Sequence, residues 1–241
     1  MGILRSAARR LPPKLKGFIK ASRVSLLENL ENKAAVDASE KAGRPCPSQA
    51  AVKHVIIQQY ARLFGIDTFV ETGTCAGDTV NAVRRCFKQI VSIELSPVFY
   101  LRAAARFANY GHIRILQGDS GALLPEVLAE IRRPVVFWLD AHETGGEDTA
   151  RGDKASPIME EMDAIFAHPI RDHVILIDDV PDFSGERDGI PVLDVFRDYV
   201  LRQRPGWTFE VTDSIIRIHP SCRQTERVAS GQRTPKRRRP K

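Results

Sequence analysis

Cysteine, methionine and tryptophan are scarce in this chain, and no long apolar run is present. Its four cysteines, Cys46, Cys75, Cys86 and Cys222, form no C-x-x-C pair and no regular spacing. That pattern excludes a zinc-ribbon framework and a disulfide scaffold, and it suits a reducing compartment. No apolar stretch approaches the roughly 20 residues needed to cross a bilayer. The basic N-terminus lacks the apolar block of roughly 7–15 residues that marks a secretory signal. A cytoplasmic protein is therefore expected.

Basic charge is also missing from most of the chain, despite a net charge of +6. Residues 1–23 hold seven Lys/Arg and no acid, and residues 221–241 hold eight Lys/Arg against Glu226 alone. Each end therefore carries +7, which leaves −8 for the residues between them. An acidic body argues against a nucleic-acid partner and for a small-molecule substrate. At 241 residues with 43% hydrophobic content, the chain is long and apolar enough for one good-sized domain.

Residues 1–45 read as a basic helical appendage, 46–220 as the main domain, and 221–241 as a polar, Arg-rich tail expected to be disordered. In the appendage, Leu11, Leu15, Phe18 and Ile19 share one helical face among Lys14, Lys16 and Lys20. Such a helix can pack on its own domain, or lie on an anionic membrane surface as a peripheral contact. A helix is expected over 49–64, after Pro45 and Pro47.

From Asp67 onward, short apolar runs alternate with helical patterns. Strands are expected at 68–72, 90–95, 113–116, 135–139 and 173–177, with helices at 78–87, 97–110, 120–132, 157–167 and 192–202. Two last strands, 208–212 and 215–219, are joined only by Asp213-Ser214, so they must form an antiparallel hairpin. Continuous apolar strands separated by helices imply an α/β, doubly wound, mostly parallel seven-stranded sheet ending in that hairpin.

Ligands of such sheets sit beyond the carboxyl ends of the strands, near the point where strand order reverses. The first strand leads into Glu71-Thr-Gly-Thr-Cys-Ala-Gly-Asp-Thr79. Gly73 and Gly77 permit a tight turn and close approach of backbone to ligand. Glu71 can accept a hydrogen bond from an ammonium, and the amides opening the next helix, around Asp78 and Thr79, can meet a carboxylate. Glu94, 23 residues beyond Glu71, ends the second strand where an acid binds ribose hydroxyls. After the third strand, Asp119 and Ser120 can reach an adenine edge. Together these suit an amino acid joined to an adenosine. A nicotinamide dinucleotide fits less well, because Cys75 stands where G-x-G-x-x-G needs its second glycine. No G-K-S/T follows the glycines, which excludes a P-loop.

These residues carry a resemblance. The run from Phe69 to about Ile218 resembles small Rossmann-fold (class I) S-adenosylmethionine-dependent methyltransferases. Its E-x-G-x-x-x-G motif is particularly similar to that of the catechol and caffeoyl-CoA O-methyltransferases. Trp138-Leu-Asp-Ala-His142, Gly145-Gly, Gly152-Asp, Ser156-Pro-Ile and Leu176-Ile-Asp-Asp179 resemble a group of bacterial methyltransferase-like proteins. The resemblance implies S-adenosyl-L-methionine as cofactor, held by Glu71, Gly73, Thr74, Gly77, Asp78, Thr79, Glu94, Asp119, Ser120 and Asp140. The reaction it implies is O-methylation of a small-molecule or sugar hydroxyl.

In the catechol-type enzymes an Asp ending the fourth strand and an Asp-Asn pair ending the fifth bind Mg²⁺. The corresponding set here is Asp140, Asp178 and Asp179, an oxygen-only cluster suited to Mg²⁺ or Mn²⁺. The same residues have plainer uses: Asp140 can orient substrate without metal, and Asp178-Asp179 can cap the following loop. No lysine closely follows Asp140, so His142 is the nearest titratable group to act as base beside it. The polar, glycine-containing stretch 141–155 has the length and position of a lid. Two rivals remain. One is a nucleic-acid methyltransferase anchored by the basic tail. The other is a non-catalytic protein that binds the cofactor.

Overall fold

The computed structural model describes residues 49–140, 156–178, 180–185 and 189–221. The basic appendage, the tail beyond Ser221, the 141–155 stretch, His142 and Asp179 lie outside the described residues.

The elements run in the order α1 (Gln49–Phe64), β1 (Thr68–Thr72), α2 (Asp78–Val83), β2 (Gln89–Glu94), α3 (Pro97–Phe107), β3 (Ile113–Gln117), α4 (Ser120–Glu130) and β4 (Val136–Leu139). They continue with α5 (Ile158–Ala167), β5 (Val174–Ile177), a short 3-10 turn (Val180–Ser184), α6 (Leu193–Gln203), β6 (Trp207–Thr212) and β7 (Ile215–Pro220). All seven strands form one sheet in the order β3-β2-β1-β4-β5-β7-β6. The first five are parallel, while β7 enters antiparallel between β5 and β6. The hairpin turns at Asp213 and Ser214 with φ of 56° and 59°, the left-handed pair that suits a two-residue connection between twisted strands.

Alternation along the strands divides the core. Val70, Ile93, Phe137, Leu139, Ile175 and Ile177 face α4, α5 and α6 on one side. Phe69, Ile90, Val136, Trp138 and Leu176 face α1, α2 and α3 on the other. Every residue of β1, β4 and β5 is buried, as expected for parallel strands covered on both faces. Strand order reverses at β1, with β2 on one side and β4 on the other. The carboxyl ends of these three strands therefore frame the crevice where a ligand would enter.

The helix after β1 is shorter than its sequence pattern suggests, ending at Val83 rather than at 87. The chain tightens there, with Cys86 N–H donating to the Val83 carbonyl at 2.8 Å. Among the described residues, no helix is long and apolar enough to cross a membrane.

Candidate functional site

Five acids stand at the carboxyl edge of the sheet. Glu71 belongs to β1, Glu94 ends β2, Asp119 follows β3, and Asp140 and Asp178 directly follow β4 and β5. The ladder extends beyond the last two strands, since Asp140 N–H donates to the Thr72 carbonyl and Asp178 N–H to that of Leu139.

Gly73 has φ of 84°, and a Cβ there would lie 2.8 Å from the Asp140 carbonyl oxygen. Gly77 has φ of 77°, and its Cβ would lie 2.6 Å from the Phe107 ring. Both glycines are needed for close approach, as the sequence suggested, but the surfaces that come close are the protein's own. The turn packs directly against the β4 exit, joining the Glu71 and Asp140 sides of the edge.

Glu71 is 1% exposed. Its carboxylate accepts from the Ser92 hydroxyl at 2.5 Å, and Thr79 also supplies a hydroxyl. Ser92 has one proton, so the buried Thr74 hydroxyl, 2.6 Å away, must donate to it when Glu71 is ionised. Burial pushes the Glu71 carboxyl up to about 8, and the negative charges of Asp140 and Glu94 push the same way. Among the described residues, no cation figures in the surroundings that set its state.

Glu94 is 7% exposed and holds local backbone, accepting from Cys75 N–H at 2.6 Å and Ser96 N–H at 2.8 Å. It clamps the glycine turn to the end of β2. Each carboxylate oxygen has a second lone-pair direction, so these bonds leave acceptor capacity for further donors.

Asp78 sits at the start of α2, mostly exposed and paired with Arg106 at 2.7 Å. Arg106 also donates to the Ala76 carbonyl, tying the turn to α3. Asp119 caps α4 by accepting from Ala122 N–H at 3.2 Å. Ser120, the first residue of α4, faces a residue absent from the sequence-based set, Glu161 of α5.

Glu161 is fully buried, and burial pushes its carboxyl up to about 7. The hydroxyls of Thr72 and Ser120 face it, though neither bonds its oxygens in full hydrogen-bond geometry. The sequence held a signal for it. Glu161 lies three residues from Ile158 and four from Ile165, on the apolar stripe of its helix.

A second missed residue is Lys53. Its ammonium lies 2.6 Å from Asp178 Oδ2, and the Asp178 side chain is only 3% exposed. This contact bears on the proposed Mg²⁺ or Mn²⁺ site. Among the described residues, no group of three or more His, Cys, Asp or Glu side chains is placed to hold a metal ion. A divalent cation bound by Asp140 and Asp178 would sit against an ammonium. Asp179, the third donor of that set, lies outside the described residues, and of the two described donors Asp178 already holds an ammonium.

No protein-family profile and no curated sequence matches the chain. Solved structures match in fold. The O-methyltransferase TomG from Streptomyces achromogenes, in complex with S-adenosylmethionine, aligns with a TM-score of 0.52 at 18% identity. The alignment covers 79% of this chain and 89% of that one. An O-methyltransferase from Bacillus cereus, in complex with S-adenosylhomocysteine, aligns at 0.50 with 15% identity, covering 78% and 90%. The S-adenosylhomocysteine-bound methyltransferase PaMTH1 from Podospora anserina aligns at 0.50 with 16% identity, covering 71% and 79%. The chain has the Rossmann-like fold of these methyltransferases.

Proposed function

We propose that this protein is an S-adenosylmethionine-dependent methyltransferase that methylates a hydroxyl oxygen on a small molecule. The observation that carries the reading is the state of Glu71. It is a buried carboxyl raised to about 8, beside two further acids, at the point where strand order reverses. A ligand bringing an ammonium and a sulfonium into this crevice supplies the missing positive charge. The choice of oxygen as acceptor follows the O-methyltransferases that share the fold.

In this reading Glu71 receives the methionine ammonium, with Ser92 and Thr79 holding its carboxylate in place. The backbone of residues 73–79 lies against the amino-acid part, and Thr74 fixes the Ser92 hydroxyl. Glu94 binds the ribose through the lone pairs not used on Cys75 and Ser96. Asp119 and Ser120 border the adenine. Asp140, held by its N–H to the Thr72 carbonyl, stands between the amino-acid part and the acceptor. When bound, the cofactor supplies a methyl group on a sulfonium. The protein's part is to place an acceptor oxygen in line with it and exclude water. No step is drawn through a divalent metal.

Calorimetric titration with S-adenosylhomocysteine tests the reading. Binding is expected in the wild type, and Glu94→Ala should weaken it at least about tenfold, the loss of one to two hydrogen bonds to a charged acceptor. A Glu94→Ala protein that binds as tightly as wild type contradicts the ribose assignment. A wild type that gives no binding heat and no thermal shift contradicts the function itself.

A further inference from the structure

The helices α4 and α5 carry a surface that the proposed reaction leaves unused. A groove of about 580 Å³ lies between them and ends at His168 and Pro169, near the amino ends of the strands. Its lining is mostly apolar, with Pro125 and Ala129 from α4 and Ala164 and Ala167 from α5. Pro125, Ala129 and Ala167 are exposed. Two acids of α5, Glu160 and Asp163, stand along the same groove. Asp163 accepts from the Tyr199 hydroxyl at 2.5 Å, and its remaining lone pairs can take further donors. An occupant suited to this lining joins apolar ring or stem surface to positive charge. Proline rings and the stems of arginine and lysine supply both.

The chain holds such a segment. Residues 222–241 carry eight Lys/Arg against Glu226, or +7, while residues 24–220 carry −8. Within that tail, Pro235-Lys-Arg-Arg-Arg-Pro240 sets four cations between two prolines. Proline favours the extended polyproline II form, which loses little entropy on entering a groove.

The described chain also ends in the right place. Ser221 Oγ lies 3.0 Å from Thr208 Oγ1, and Pro220 pairs with Trp207. Trp207 packs on the α4, α5 and α6 side of the sheet. Its ring meets Phe166 edge-on with centroids 6.5 Å apart, and Phe166 directly precedes Ala167 and His168 of the groove. Thirteen residues, 222–234, then lead to Pro235. At roughly 3.3 Å per residue they span up to about 43 Å. The 10 residues of α5 cover only about 15 Å, so reach is ample. The other basic segment, residues 1–23, leads towards α1, which packs on the opposite face.

We propose that this groove is the docking site of the chain's own residues 235–240, with prolines on the apolar lining and cations on Glu160 and Asp163. The inference goes beyond the methyltransferase reading and does not depend on it. Each exposed ion pair contributes little alone. Several acting together, on a tether that gives a local concentration on the order of millimolar, hold the segment in place.

The test treats the full chain with a water-soluble carbodiimide, which joins a lysine amine to a carboxylate in contact as an amide and takes up the water as its urea. Equal amounts of light and heavy-isotope chains are mixed first, and the linked peptides are mapped by mass spectrometry. Lys236 or Lys241 should link to Glu160 or Asp163 in isotopically unmixed pairs. The link should vanish at about 1 M NaCl, where charges are screened beyond about 3 Å. It should also vanish in Ala129→Arg, which adds bulk and positive charge to the groove at an exposed helix position.

A fluorescent synthetic peptide of residues 222–241 gives a second measurement. It should bind the full-length variant Lys236→Gln/Arg237→Gln/Arg238→Gln/Arg239→Gln about tenfold more tightly than wild type, whose own tail competes. Equal affinity for the two proteins would overturn the proposal, as would no link to Glu160 or Asp163. Isotopically mixed pairs would place the tail of a second copy there, and links from Lys14, Lys16 or Lys20 would place the N-terminal segment there. Either result overturns the assignment.

Discussion

The two edges of the sheet treat buried polar groups in opposite ways. At the amino edge, His173 accepts from Val135 N–H through Nδ1 at 3.1 Å and meets His168 Nδ1 through Nε2 at 3.0 Å. Arg204 donates to the Phe166 carbonyl at 2.6 Å and lies over the Phe166 and Trp207 rings. These groups bond mostly to neighbours within the edge, with Arg204 Nε left without a hydrogen-bond partner. Burial, with His168 and Arg204 as neighbours, pushes His173 down to about 4, so it stays neutral and acts as a fixed hydrogen-bond post. At the carboxyl edge acids of five strands stand side by side, and two fully buried carboxyls, Glu71 and Glu161, are pushed up to about 8 and about 7. One edge is largely paired within itself. Among the described residues the other sets five strand-end acids against the Lys53 ammonium, and such local imbalance points to a functional site.

The contrast can be broken most forcefully at Glu71. Glu71→Gln should weaken S-adenosylhomocysteine binding about 10–100-fold, the value of one hydrogen bond to a charged group. The unliganded protein should meanwhile be no less stable near neutral pH, because the carboxyl, raised to about 8, is already mostly protonated there and an amide replaces it in kind. A variant that binds normally but melts much earlier would make Glu71 a structural residue.

Next in size is Gly73→Ala, which meets the Asp140 carbonyl at 2.8 Å in a left-handed conformation. A loss of about 2–3 kcal/mol in denaturant unfolding is expected. At the opposite edge, His173→Ala should cost about 1–3 kcal/mol, because Val135 N–H loses its buried acceptor. It should leave S-adenosylhomocysteine affinity unchanged, and an altered affinity would mean that the two edges are coupled.

The smallest effects are the pH slopes, and they have opposite signs. Glu161 titrates at about 7 in the fold against 4.5 ordinarily. Between those values the folded chain holds a proton that the unfolded chain has lost, so stability falls as pH rises. His173 titrates at about 4 against 6.5. There the unfolded chain binds the extra proton, so stability falls as pH drops through that window. Glu161→Gln should therefore gain stability over wild type as pH rises towards about 8, with the gain vanishing near about pH 5. Equal stabilities at both pH values, by urea unfolding, would show that Glu161 is not held in a strained state.

Much of the scaffold was legible because its signals are local. Apolar runs placed the strands within a residue or so, and Asp213-Ser214 forced the final hairpin. Gly73 and Gly77 announced a turn of unusual backbone, though not that Asp140 and Phe107 crowd it. The contacts that were missed join distant segments. Nothing in the spacing of Lys53 and Asp178 says that an early helix lies across the exit of β5. That single contact changes the chemistry expected of Asp178. Glu94 was legible as an acid near the end of the second strand, but its bonds to Cys75 and Ser96 depend on the turn's fold.

Proton release on cofactor-product binding tests the electrostatic deficit at Glu71 most directly. Calorimetry in two buffers of different ionisation enthalpy, near neutral pH, should show about one proton leaving the wild type as S-adenosylhomocysteine binds. Glu71→Gln should release almost none. Binding to the wild type without proton release, or with the same release from the variant, would contradict a buried acid waiting for the ammonium of its ligand.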